Sequence, residues 1–158
     1  MQRCHGDPDC KGKNLPGELS CLAHAREATR SRYLDALVPG ADVNHDGTVF
    51  DDPLLTALLR SLQDTSGRAS FGTCSFRGTQ FPDGASFEDA LFGQKAVFDG
   101  ASFGVVSFDG AAFREDAWFE GARFARDASF FGATFAKESQ FSRASFECPI
   151  HFSSTSFV

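Results

Sequence analysis

The chain has 158 residues, 42% of them hydrophobic, and a formal net charge of −6, which suits one or two small domains. A pI near 5.1 argues against a sequence-independent nucleic-acid binder. No run approaches the roughly 18 apolar residues of a membrane span.

The segment Met1-Gln2-Arg3-Cys4-His5 lacks the apolar core of a signal peptide, so a cytoplasmic, reducing location is expected and disulfides are not. Cys4, Cys10, Cys21 and His24 follow as a C-x5-C-x10-C-x2-H series, with Lys11 to Gly17 as the intervening loop. Three thiolates and an imidazole at these spacings can close tetrahedrally round zinc. Four protein ligands leave no open position, so the ion would be structural. The series resembles the small Cys3His knuckles appended to many bacterial and phage proteins. His5 is a rival ligand, and a set of free cysteines near the terminus is the alternative reading. The Cys21-x2-His24 step is expected on the first turn of a following helix.

Residues 25–37 read as that helix, with Tyr33, Leu34 and Leu37 facing inward. Asp42 to Gly47 imitates the start of a calcium loop, but its twelfth position is Pro53 rather than a bidentate Glu. A polar turn is expected there. Asp51 or Asp52 then caps a second helix with Pro53 at its first position. Leu54, Leu55, Leu58, Leu59 and Leu62 give that helix one apolar stripe, suited to lie as a lid over whatever core follows.

From residue 71 onward the chain is metrical. Seventeen of the nineteen Phe fall in step there, separated by ten gaps of five and six gaps of six. A helix would spiral such a series round every face, and a flat strand would alternate it between sides. Short strands joined by corners keep it on one side. The residue two before each Phe should then share its face. Eleven of those residues are Ala, the rest include Cys74, Val106 and Ile150, and none is charged. Small-x-Phe is therefore an inward-outward-inward triplet, with each sixth residue taken up as a corner bulge.

Triplets such as Ala101-Ser102-Phe103 and Ala122-Arg123-Phe124 resemble the unit of the pentapeptide-repeat proteins across residues 69–158. The resemblance implies a mainly β fold: a right-handed, quadrilateral β-helix with one repeat per face and about four coils. Two regions are expected, a Cys/His head with capping helices over 1–66 and the β-helix over 67–158. The chain stops in repeat phase at Ser156-Phe157-Val158, and an exposed coil edge invites pairing. Family members often dimerise through that end, which implies a homodimer here.

The sequence offers no catalytic constellation, so a non-enzymatic role is expected. Every fourth repeat stacks Ser75, Val97, Trp118 and Gln140 outward in one column, and Phe131 breaks phase and should be exposed. Val97, Trp118 and Phe131 are the candidate partner contacts, because aromatics anchor protein interfaces. Asp83, Asp99, Asp109 and Glu120 read as a solvated face. The leading expectation is a scaffold for protein–protein interaction, with no direct nucleic-acid or membrane contact. The resemblance also implies an alternative, since some family members mimic DNA and regulate or protect DNA gyrase. Four coils make a rod about 20 Å long, where duplex DNA carries about a dozen charges. Residues 69–158 hold eleven acids against seven bases, a net of −4, which weighs against mimicry. A third expectation is an enzyme or ligand carrier with a pocket between head and rod.

Overall fold

The computed structural model describes Cys4 and residues 7–158. Helix α1 spans Glu27–Asp35, strand β1 Ala41–Asn44 and helix α2 Asp52–Ser61. A six-residue strand β2, Ser70–Ser75, opens a parallel solenoid of two-residue strands. These are β3 (Gln80–Phe81), β4 (Ala85–Ser86), β5 (Leu91–Phe92), β6 (Ala96–Val97), β7 (Ser102–Phe103), β8 (Val106–Ser107) and β9 (Ala112–Phe113). They continue as β10 (Ala117–Trp118), β11 (Arg123–Phe124), β12 (Ala128–Ser129), β13 (Thr134–Phe135), β14 (Ser139–Gln140), β15 (Ser145–Phe146), β16 (Ile150–His151) and β17 (Ser156–Phe157).

Each strand pairs with the one four repeats away, which gives four walls. The first half of β2 with β5, β9, β13 and β17 forms the first wall. Its second half pairs with β1 on one side and leads through β6 and β10 to β14 on the other, as the second wall. Strands β3, β7, β11 and β15 form the third, and β4, β8, β12 and β16 the fourth.

The core is a set of Phe columns. Rings one coil apart stack nearly parallel, from 4.5 Å between Phe92 and Phe113 to 5.5 Å between Phe50 and Phe81. That separation is the backbone's own, because neighbouring strands lie about 4.8 Å apart. Across the axis the rings meet edge to face, as Phe98 and Phe119 do with Phe108. Both geometries suit the ring quadrupole. The Ala residues two before each Phe are buried from Ala69 to Ala133, as small-x-Phe requires. The last coil is more open, with Phe146 38%, Phe152 37% and Phe157 60% exposed.

Two kinds of corner alternate, one of constant length and one of either five or six residues. After the second and fourth walls the gap is always five. There the second residue past the Phe takes positive φ, as Gly78, Gly100, Gly110, Gly121 and Gly132 do. Asp89, Arg143 and Ser154 occupy the same position at φ 54, 58 and 60°, a conformation that costs an L-residue about 1–2 kcal/mol. The third residue closes each turn by donating to the Phe carbonyl, as Ala101 N–H does to Phe98 at 3.0 Å. The six-residue gaps fall at the other two corners, and the Phe beyond each of them through Phe130 remains buried.

Corner acids do more than face solvent. Asp99 accepts from the Glu120 N–H at 3.0 Å and Asp109 from the Phe131 N–H at 2.9 Å, each tying one coil to the next. Asp109 also accepts from the Ser129 hydroxyl.

The coil ladder begins before the Phe count does. Val43, Asn44 and His45 lie one coil ahead of Cys74, Ser75 and Phe76, with His45 N–H donating to Ser75 O at 2.8 Å. Gly47 repeats the corner at φ 66°, Thr48 N–H returns to His45 O, and Phe50 stacks on Phe81 at 5.5 Å. Asp46 repeats the acid tie, accepting from Arg77 N–H at 2.9 Å. The expected polar turn at Asp42–Gly47 is thus half a coil in which His45 takes a Phe slot. The lid does form. Asp51 caps α2 by accepting from Leu54 N–H at 2.9 Å, with Pro53 at the second helical position. Leu54, Leu55, Leu58 and Leu62 are buried in one continuous core with the Phe columns.

Phe108→Ala, in the middle of the stack, should cost about 3–5 kcal/mol through the cavity it leaves, while Phe157→Ala at the open end should cost under about 1 kcal/mol. Chemical denaturation of the two variants beside wild type measures the difference, and equal costs would contradict a core graded along the rod.

Candidate metal centre

Four side chains converge in the head. Cys21 Sγ lies 3.7 Å from both Cys4 Sγ and Cys10 Sγ, and His24 Nδ1 lies 3.5 Å from Cys4 Sγ and from Cys21 Sγ. All four ligand atoms fall within 4.8 Å of one another. The S···S separations are far beyond the roughly 2.05 Å of a disulfide. The group could hold a metal ion. His5, the rival ligand, lies outside the described residues.

Local structure explains the convergence. Residues 14–21 form a tight hairpin in which Asn14 bridges Cys21 and Leu15 N–H donates to Ser20 O at 2.9 Å. Leu15 and Leu22 are buried and anchor it to the core. Cys21 and His24 share a single turn, closed by His24 and Ala25 N–H donating to Cys21 O. That turn precedes α1 and is separated from it by the extended Arg26, so the pair does not occupy the helix's first turn as expected. From α1, the Arg30 guanidinium reaches back to the carbonyls of Leu22, Ala23 and Ala25 at 2.9–3.3 Å. This clamp gave no signal in the sequence, because an Arg on a helix face looks like any other solvated charge.

Backbone N–H groups point at the sulfurs, Gly12 to Cys10 at 3.2 Å and Cys21 to Cys4 at 3.4 Å. Burial pushes the Cys21 thiol up to about 12 and also raises Cys10. A cation among the sulfurs reverses that preference, since it favours thiolate outright. The centre is joined to the rod through Lys13 N–H, which donates to Asp46 O at 2.7 Å in the half coil.

The expected partner residues do not share one surface. Trp118 stands in the second-wall column, in register with Val97 and Gln140. Lys95 caps its ring, with Nζ 3.0 Å from the centroid, so the indole is half-buried and already engaged by a cation. Val97, between Ser75 and Trp118, is only 4% exposed and offers no contact area, contrary to expectation. A valine standing about 4.8 Å from a larger neighbour in a ladder is shaded by it. Phe131 is 54% exposed, but at the corner after the fourth wall and away from Trp118. Between head and first coil runs a groove of about 480 Å³ lined by Lys13, Asn14, Tyr33, Asp42, Asn44 and Thr73, among others.

Residues 87–134 match the family described as pentapeptide repeats (9 copies). The rod is a parallel-strand solenoid whose middle coils match pentapeptide repeats. Comparison with curated proteins and with solved structures returns no match. The matched segment covers the middle coils, where the pentapeptide repeats hold their register without the head.

Gly12 sits where the chain from Cys10 folds under Cys21, and a Cβ there would lie 2.7 Å from Cys21 Cβ and Sγ. Gly12→Ala should therefore weaken metal retention by about 10- to 100-fold, in the range of other changes that misorient ligands. Competition with a chromophoric chelator reads the effect, and unaltered retention would remove Gly12 from the site.

Proposed function

We propose that the protein is a non-enzymatic scaffold for protein–protein interaction, in which a zinc-locked head caps one end of a pentapeptide-repeat rod. The observation behind the zinc assignment is the spacing of the four ligand atoms. A tetrahedral centre with Zn–S of about 2.3 Å and Zn–N of about 2.0 Å has S···S edges of about 3.8 Å and S···N edges of about 3.5 Å. Four of the six edges are 3.7 and 3.5 Å, and all six are within 4.8 Å. Four protein ligands complete the shell, so the ion's role is to fold the head rather than to activate water. The scaffold reading rests on how the repeats spend their side chains: inward residues fill the axis, and variety is confined to the outward positions.

Phe131 is the anchor this reading favours. It is the large aromatic most exposed outside the last coil, and the acids Glu88, Asp89 and Asp109 border it. A ring flanked by carboxylates suits a partner surface carrying Lys or Arg. Trp118, occupied by Lys95, is the weaker candidate. The net charge of −4 over residues 69–158 gives little support to DNA mimicry.

Purified protein should carry about one zinc per chain, and Cys21→Ser should lose it together with the folded head. Elemental analysis decides, and zinc below about 0.2 per chain in wild type would sink the assignment. For the scaffold, affinity capture from source-cell lysate should recover fewer partners with Phe131→Ala than with wild type or Trp118→Ala. The same partners at equal yield from all three baits would dismiss Phe131 as the contact.

A further inference from the structure

Along the second wall each inward slot carries a stacked ring, Phe76 on Phe98, Phe98 on Phe119 and Phe119 on Phe141. One coil earlier the slot holds His45, fully buried. Its ring tilts over Phe76 at 6.0 Å and stands edge-on to Phe50 at 5.6 Å and to Tyr33 of α1 at 5.7 Å. Nε2 shares a hydrogen bond with the Tyr33 hydroxyl at 3.2 Å. Nδ1 is buried and has no hydrogen-bond partner among the described residues. The backbone on either side is committed: His45 N–H donates to Ser75 O, and His45 O accepts from Thr79 Oγ1 at 3.0 Å. The ring cannot reach water unless the half coil leaves the rod.

We infer that His45 makes the docking of the half coil, and of the cap it carries, acid-labile: a proton on the imidazole puts a charge into an aromatic slot, and residues 41–50 open to hydrate it. The surroundings offer that charge little. From α1 the one polar group is Tyr33, whose phenol burial pushes up to about 12 and so keeps neutral. On the turn after His45, the Asp46 carboxylate is taken by the Ser75 hydroxyl at 2.6 Å and the Arg77 N–H at 2.9 Å. From β2 comes the buried Cys74, its thiol raised by burial, and beyond it Arg77, a cation paired with Asp99 at 3.6 Å. Thr48 and Thr79 add only hydroxyls.

Burial holds the imidazole down at about 4, with Asp46 opposing that drop. Unfolded His titrates near 6.5, so between these values the opened chain binds more protons than the folded one. The stabilisation is complete above about pH 6.5 and is lost as pH falls through that value, by about tenfold per pH unit until it levels near 4.

Hydrogen exchange on the metal-loaded protein tests this at the amides of His45, Gly47 and Phe50, which bond Ser75, Arg77 and Gln80 carbonyls. Between pH 7.5 and 5.0 their protection, corrected for intrinsic rates and at matched metal content, should fall about thirtyfold more in wild type than in His45→Phe, which restores the ring of the other coils. An equal fall in both proteins overturns the inference. So does an NMR titration of wild type that places the folded His45 imidazole near 6.5. Should His45→Phe not fold, that titration decides alone, with a value well below 6 upholding the proposal.

Discussion

One distance governs this molecule. Parallel strands settle about 4.8 Å apart, and flat aromatic rings can lie face to face at nearly that separation. A Phe at each inward slot therefore meets its own kind one coil away without either backbone or ring having to yield, as Phe113 does between Phe92 and Phe135 at 4.5 and 4.7 Å. Once the rings stack, the residue two before each must be small, because both point into a channel the rings have already filled. The outward residues are then left to the walls. The sharp corners after the second and fourth walls follow as well, each five residues long and turned by a positive-φ residue two past its Phe.

The same regularity decided what the sequence could disclose. Seventeen evenly spaced Phe made the four-sided coil legible, and the ladders pair as the spacing implies. Where the chain keeps the fold but abandons the letter, pattern reading failed. His45 and Phe50 are five residues apart and in register, yet a His in the first slot and the acids Asp42 and Asp46 made the stretch look like a broken calcium loop. Asp99 and Asp109 read as solvated because their partners are backbone N–H groups about twenty residues ahead, which carry no side-chain signature. Val97 was placed correctly in its column but its burial depends on the size of Trp118 in the next coil. The Lys95 cap on that indole likewise joins side chains from successive coils.

In the head the opposite held. The Cys and His identities were informative on their own, because few other roles call for three thiols and an imidazole within about twenty residues. What identity could not supply was the support: Gly12 clearing space for Cys21, Arg30 bracing the turn between Cys21 and His24, and the hairpin that returns Leu15 to the core.

Head and rod are consequently coupled rather than merely joined. The Cys/His cluster draws together residues 4, 10, 21 and 24, Lys13 fastens that segment to Asp46, Asp46 fastens the half coil to Arg77, and Phe50 completes the column above Phe81. A repeat solenoid gains its stability from contacts between neighbouring units, so a terminal unit has a neighbour on one side alone. Here that unit holds an imperfect ring, His45, and is shielded by α2 from one side and tethered to the Cys/His cluster on the other. The slot that departs from Phe thus lies where α2 and the Cys/His segment cover the rod, while the opposite end stays open.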